Sequence, residues 1–155
     1  MLKYTNHDVV FQEFPDEVTL AINLSRCPCA CVGCHSAFLQ TDVGEVLTPV
    51  RLLALLDNYR DTITCVGFMG GDNDPDAVAD MAETVRLSYG QRLHIGWYSG
   101  RQTLPKGFRS EVFNYVKLGP YIANLGPLST PTTNQRFYAI SPDGHLEDRT
   151  ALFWR

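Results

Sequence analysis

The sequence lacks the features that mark several large classes of protein. No apolar run approaches the roughly 20 residues of a membrane-spanning helix, and the first residues carry no signal-peptide core. No block of Lys and Arg stands out, and the 13 basic and 17 acidic residues give a net charge of −4, so a nucleic-acid-binding surface is not indicated. Phosphate-binding Gly-Lys-Ser/Thr loops, His-Glu-x-x-His helices and a Ser-His-Asp order are also missing. These absences favour a cytoplasmic protein and argue against a hydrolase or nucleoside triphosphatase function.

The length fits one domain. A chain of 155 residues can bury about 70% of its unfolded surface. We find no internal repeat, low-complexity tract or obvious linker. We therefore expect a single domain over residues 1–155.

Cysteine is unevenly distributed along the chain. Four of the five cysteines lie in the segment Cys27-Pro-Cys-Ala-Cys31-Val-Gly-Cys34. In a reducing compartment such a cluster is more often metal-binding or catalytic than disulfide-bonded. Cys27, Cys31 and Cys34 have the spacing C-x3-C-x2-C, and three thiolates can hold three irons of a [4Fe–4S] cluster. The fourth iron then stays open to a small molecule, whereas clusters that only carry electrons have four cysteine ligands.

A zinc site is the alternative for this segment. Structural zinc usually takes four ligands, commonly as two separated pairs, and Cys31 with Cys34 would be one pair. The side chains that could complete it are Cys27, Cys29, His35 and Cys65. Cys29 has no role in the three-ligand scheme. Cys65 lies in an apolar stretch, where we expect a buried, unreactive thiol.

Hydrophobic periodicity predicts strands that alternate with helices. The predicted strands cover residues 9–14, 18–24, 63–69, 93–97 and 115–118. Thr48-Pro49 and Asp74-Pro75 each pair an N-cap residue with proline at the first helical position, and a weaker amphipathic segment covers residues 108–114. Pro142-Asp143-Gly144 is typical of a hairpin turn between two C-terminal strands. The alternation predicts an α/β fold with a mostly parallel sheet and a C-terminal β-hairpin.

Three unusual segments follow three of the predicted strands. The cysteine segment follows residues 18–24, Gly70-Gly71-Asp72 follows residues 63–69, and Ser99-Gly100 follows residues 93–97. Ligands of parallel α/β sheets bind at the carboxyl ends of the strands, so we expect these segments to meet at one edge. There the glycines would let the backbone approach a ligand, and the Asp72 carboxylate could accept hydrogen bonds from an ammonium group. An ordinary strand–helix loop that contains two glycines is the alternative.

Together these motifs resemble the radical S-adenosylmethionine (SAM) enzymes. Within that superfamily the chain is similar to the activating proteins of anaerobic (class III) ribonucleoside-triphosphate reductases. The matching segments are Ser25-Arg-Cys27, Cys31-Val-Gly-Cys34, Phe68-Met-Gly70-Gly71-Asp72, Tyr98-Ser99-Gly100-Arg101, Lys117-Leu-Gly-Pro-Tyr121 and Thr132-Thr-Asn134-Gln135-Arg136. Gly33 stands where many radical SAM enzymes have an aromatic residue, although glycine is usual there in the activating proteins of glycyl radical enzymes. His35-Ser36 departs from the Tyr-Asn that the reductase-activating proteins often have.

The resemblance implies a fold, two cofactors and a reaction. The fold would be a partial (incomplete) β/α barrel of the radical SAM type. Cys27, Cys31 and Cys34 would bind the [4Fe–4S] cluster, and an electron from it would cleave SAM to a 5′-deoxyadenosyl radical. That radical would abstract a hydrogen from a glycine of the large reductase subunit and leave a glycyl radical, with a flavodoxin-like protein as electron donor. The residues expected to contact SAM are Gly33, Cys34, His35, Gly70, Gly71, Asp72 and Ser99.

Three other functions stay open. The chain could activate another glycyl radical enzyme, of the pyruvate formate-lyase type, or act on a small molecule, as a deazapurine-forming synthase does. It could also be a non-catalytic iron–sulfur or zinc module, which would leave Gly70-Gly71-Asp72 unexplained. A complete barrel of eight β/α units takes about 250 residues, so this chain would leave one side open. We expect the reductase to close that side when it docks.

Overall fold

A mixed sheet of eight strands organises the part of the chain that this computed structural model describes, residues 1–25 and 44–155. The strands are β1 (Lys3–Val10), β2 (Thr19–Leu24), β3 (Glu45–Val46), β4 (Cys65–Met69), β5 (His94–Tyr98), β6 (Tyr115–Leu118), β7 (Arg136–Ile140) and β8 (Leu146–Asp148). Their order in the sheet is β3-β1-β2-β4-β5-β6-β7-β8. Two α-helices, α1 (Pro49–Tyr59) and α2 (Pro75–Tyr89), and the 3-10 turns Gly90–Arg92, Ser110–Val112 and Thr150–Trp154 complete the described elements. The fold is therefore α/β, with β3 and β8 as the two edges of an open sheet.

The prediction of a mostly parallel sheet is wrong. Strands β2, β4, β5 and β6 run parallel, but the β1–β2, β1–β3, β6–β7 and β7–β8 pairs are antiparallel. Residues 11–18 between β1 and β2 are too few for a crossover, which takes a dozen or more residues, so β1 pairs as a hairpin. The predicted strand over residues 9–14 is also displaced, because β1 ends at Val10 and Phe14 packs into the core. The predicted C-terminal hairpin is present as β7 and β8.

Both helices begin where their capping residues predict. Thr48 Oγ1 accepts a hydrogen bond from the Arg51 amide at 3.1 Å, and Asp74 accepts one from the Ala77 amide at 3.2 Å. Each cap is followed by proline at the first helical position. The predicted helical segment at residues 108–114 forms only the 3-10 turn Ser110–Val112. None of the described helices is long and apolar enough to cross a membrane.

The sheet has two different faces. Alternate residues of the central strands pack with α1 and α2 in the larger hydrophobic core, which includes Ile22, Phe68 and Trp97. The other face carries a smaller cluster around Phe14, Cys65 and Phe137. As expected, the Cys65 thiol is fully buried, and burial, followed by the nearby Glu17 carboxylate, raises its pKa well above the usual range.

Candidate functional site

The carboxyl ends of the parallel strands form one edge of the sheet. Gly70-Gly71-Asp72 follows β4, Ser99-Gly100 follows β5, and Gly119 follows β6. The structure therefore brings the predicted residues Gly70, Gly71, Asp72 and Ser99 together at this edge. Five further predicted residues, Cys27, Cys31, Gly33, Cys34 and His35, lie outside the described residues, as does Cys29.

Asp72 joins the loops after β4 and β5. Its carboxylate accepts a hydrogen bond from Ser99 Oγ at 2.5 Å and another from the Gly100 amide at 2.8 Å. Ser99 Oγ in turn accepts a bond from the Arg101 amide at 3.1 Å. Asp72 is 5% exposed and Ser99 is fully buried, so both side chains lie beneath the surface of the site.

Close packing explains the glycine pair before Asp72. Gly70 has a φ of +107° and Gly71 a φ of +88°, in the region that favours glycine. A Cβ on Gly70 would lie 3.0 Å from the Leu24 carbonyl oxygen, and one on Gly71 would lie 2.6 Å from Val78 Cγ2. The fold itself therefore requires both glycines, a reason that the sequence motif did not supply.

Residues 26–43, which carry four cysteines, are attached at the same edge. The described chain runs from the end of β2 to Ser25, whose amide donates to the Lys3 carbonyl oxygen at 2.9 Å. It resumes at Gly44, where a Cβ would lie 2.2 Å from the Tyr4 carbonyl oxygen. Both attachment points therefore contact the first residues of β1. Leu24, directly before Ser25, also touches Gly70.

Hydrogen bonds continue across the edge from β5 to β7. The Arg101 carbonyl accepts from the Gly119 amide at 2.6 Å, and the Lys117 carbonyl accepts from the Ser99 amide at 2.9 Å. The Gly119 carbonyl accepts from Lys117 Nζ at 3.1 Å and from Gln135 Nε2 at 3.4 Å. The loops after β4, β5 and β6 are thus bonded one to the next.

Lys117, which the sequence analysis named only as part of a matching segment, is also a site residue. It is 7% exposed, and its Nζ lies 5.3 Å from the centroid of the Tyr98 ring, within the range of a cation–π contact. Its signal in the sequence is a lysine within the short apolar strand β6. Because side chains alternate along a strand, Lys117 lies on the same face as Tyr115, away from the helices.

A cleft of about 1060 Å³ opens on that face. Among the described residues, the acidic residues that line it are Asp8, Glu13, Asp16 and the nearly buried Asp72, and the basic ones are Lys117 and Arg155. Apolar walls come from residues such as Val10, Leu128 and Phe153. The described lining is therefore net negative and partly apolar, a surface suited to a cationic ligand that also has an apolar part.

A second polar cluster lies at the amino ends of the same strands. The buried Glu17 carboxylate accepts hydrogen bonds from Thr64 Oγ1 at 2.6 Å and from the Tyr115 hydroxyl at 2.5 Å, and it also contacts His94 Nδ1. Burial, followed by the bond to Glu17, raises the pKa of Tyr115 above its usual range. This cluster joins residues at the starts of β4, β5 and β6. It lies at the opposite end of the strands from Asp72.

Comparison with protein-family models, curated proteins and solved structures finds no match for this chain. Within residues 1–25 and 44–155, no group of three or more His, Cys, Asp or Glu side chains is placed to hold a metal ion. Cys65 is the one cysteine in those ranges.

Proposed function

We propose that this chain is a radical SAM enzyme that activates an anaerobic ribonucleoside-triphosphate reductase by generating its glycyl radical. One observation carries the proposal. The chain enters the segment containing Cys27, Cys31 and Cys34 from Ser25, directly after Leu24, which ends β2 and lies against Gly70. A three-cysteine segment is therefore attached at the sheet edge where Asp72 and Ser99 meet.

Cys27, Cys31 and Cys34 would hold a [4Fe–4S] cluster, which when bound would supply the electron for reductive cleavage of SAM. The described residues contribute a rigid edge and a charged cleft. SAM carries a sulfonium and an ammonium against one carboxylate, so it is a net cation, and the described lining of the cleft is net negative. A cleft of about 1060 Å³ has room for a ligand of that size, since small-molecule sites span about 300–1,000 Å³.

The sheet is, on this proposal, an incomplete β/α barrel of the radical SAM type. Support comes from contacts across the cleft face. The Tyr98 hydroxyl on β5 donates to the Glu13 carbonyl in the β1–β2 loop, and Arg155 lies 3.7 Å from Asp16 in the same loop. The open side of the cleft would receive the reductase, which would keep water and stray hydrogen donors away from the reaction. A flavodoxin-like protein would supply electrons in the cytoplasm.

The test is anaerobic reconstitution with iron and sulfide, followed by reduction, addition of SAM and assay of 5′-deoxyadenosine beside the EPR spectrum. We expect a cluster signal that changes with SAM, and nucleoside formation that is lost in Cys31→Ala. Cys29→Ala is the matched control in the same segment, and we expect it to retain activity. Protein that stays colourless, binds one zinc and ignores SAM would refute the enzyme proposal.

The partner is tested in the same system. Adding the large reductase subunit should yield a glycyl radical signal and should stimulate SAM cleavage. A glycyl radical signal with pyruvate formate-lyase but not with the reductase would show that the chain activates a different glycyl radical enzyme. Fast SAM cleavage that the reductase does not change would contradict the idea that docking closes the cleft.

A further inference from the structure

Three neighbouring loops, which follow β4, β5 and β6, are linked by hydrogen bonds that begin at one carboxylate. Asp72 accepts from Ser99 Oγ and from the Gly100 amide, and Ser99 Oγ accepts from the Arg101 amide. The Arg101 carbonyl accepts from Gly119, whose own carbonyl accepts from Lys117 Nζ. The series therefore runs from the loop after β4 to the ammonium group in the cleft.

Asp72 is the charged member at the start of this series. Hydrogen bonds to an ionised acceptor are shorter and about twice as strong as neutral ones, and the Ser99–Asp72 distance of 2.5 Å is in the charge-assisted range. Each of the two carboxylate oxygens accepts one of the two bonds, Oδ1 from Ser99 and Oδ2 from Gly100. This two-point attachment fixes both the position and the orientation of the loop after β5.

We propose that Asp72 is a positioning residue: it sets the geometry of the ligand edge through Ser99 and Gly100 rather than by binding the SAM ammonium itself. The proposal rests on the proposed function, because it names how the same site is held for that ligand. It assigns Ser99 the same role, since the Ser99 hydroxyl donates to Asp72 and accepts from Arg101. Lys117 and the loop backbone then present the polar groups that face the cleft.

The length of the Asp72 side chain matters for this role. Asp72 is 5% exposed and Ser99 is fully buried, so the carboxylate has little room to move away from its partners. A glutamate side chain has one more methylene, which would move the carboxylate by about 1.5 Å, the length of one carbon–carbon bond. A displacement of that size would break at least one of the two bonds, whose lengths are 2.5 and 2.8 Å. A carboxylate that served only to bind an ammonium would instead keep its function as glutamate.

The first test measures backbone hydrogen exchange on the anaerobically reconstituted protein without SAM. Asp72→Asn should speed exchange at the Gly100 and Arg101 amides by about ten- to a hundredfold, the range that hydrogen bonds to charged groups are worth. Ser99→Ala should speed exchange at Arg101. Asp76→Asn, an exposed acid at the start of α2, is the control and should leave both amides unchanged. Unchanged exchange at both amides in Asp72→Asn would overturn the proposal.

The second test measures SAM affinity by anaerobic calorimetry on the same variants and on Asp72→Glu. Positioning predicts that Asp72→Asn, Asp72→Glu and Ser99→Ala all weaken binding, and that the Asp72→Asn/Ser99→Ala double variant is no weaker than Asp72→Asn. Direct contact predicts instead that Ser99→Ala and Asp72→Glu bind like the wild type, which would overturn the proposal. Faster exchange with unchanged SAM affinity would overturn it equally.

The two tests separate this inference from the proposed function. Wild-type protein that binds no SAM would refute the proposed function. The exchange measurement would still decide whether Asp72 holds the loop after β5, because it needs no SAM.

Discussion

The packing of Phe14 on two glycines yields a quantitative prediction. Gly67 and Gly96 are opposite each other in the β4–β5 register, and the Phe14 ring lies over both. A Cβ on Gly96 would lie 2.1 Å from Phe14 Cε1 and 2.5 Å from Cζ, whereas carbon atoms prefer about 3.5–4.0 Å. The ring is fully buried against the rings of Tyr98 and Tyr115, so it cannot simply move away.

Gly96→Ala should therefore destabilise the protein at the upper end of the overpacking range of about 1–3 kcal/mol. Phe14→Leu removes Cε1 and Cζ, the two atoms that a new Cβ would meet first. In that background we expect Gly96→Ala to cost less than about 1 kcal/mol, which gives a coupling energy of about 2 kcal/mol between the two positions. The coupling comes from steric overlap alone, because neither a phenylalanine ring nor an alanine methyl group forms a polar contact.

Urea unfolding followed by circular dichroism on the wild type, both single variants and the double variant measures this coupling. Gly90→Ala is the control: Gly90 has a φ of +60°, and no atom of the described residues beyond its chain neighbours lies within 4 Å of an added Cβ. Its cost is backbone strain of about 1–3 kcal/mol, because a φ of +60° with a ψ of −136° is sparsely populated by residues other than glycine, and this cost should be the same with or without Phe14→Leu. An equal cost of Gly96→Ala in both backgrounds would refute the steric argument.

Three further predictions concern stability. Glu17→Gln should lower the free energy of unfolding by about 1–3 kcal/mol in urea titrations, because the amide nitrogen replaces one of the two carboxylate oxygens and cannot accept the bond that this oxygen takes from Thr64 or Tyr115; a loss below about 0.5 kcal/mol would contradict this. Burial, followed by the bond to Asp57, raises the pKa of Tyr89 to about 12. The unfolded chain therefore loses the Tyr89 proton at a lower pH than the folded protein does. The contribution of Tyr89 to stability is complete below the ordinary pKa of about 10 and is lost as the pH rises through 12. Tyr89→Phe should reduce this loss in unfolding titrations between those two pH values. Thr48→Ala should cost about 1 kcal/mol through loss of the α1 cap, and Thr48→Ser should restore most of it in the same assay.

Local signals in the sequence located several elements well. Thr48-Pro49 and Asp74-Pro75 fix helix starts through contacts within one turn, so neighbouring residues suffice to predict them. The meeting of residues 70–72 with Ser99 followed from a rule of topology, since parallel strands end at a common edge. The direction of β1 could not be predicted from the sequence pattern of the strand, because its antiparallel pairing with β2 depends on the short connection between them.

Other features depend on contacts between residues distant in sequence. The apolar pattern placed Phe14 at the end of a strand, but the structure packs its ring on Gly67 and Gly96. Both glycines look unfavourable within strands until the position of that ring is known. The partners of the Asp72 carboxylate were hidden for the same reason, because Ser99 and Gly100 lie 27 and 28 residues away.

The two points that flank residues 26–43 lie against the same strand. Ser25 and Gly44 both contact the first residues of β1, so the described chain leaves and re-enters the sheet at one place. Two neighbouring anchor points can be joined by segments of different length, because doubling the length of a flexible loop costs only about 0.6 kcal/mol. A change of length between Ser25 and Gly44 would therefore leave the pairing of β1 with β2 and β3 in place.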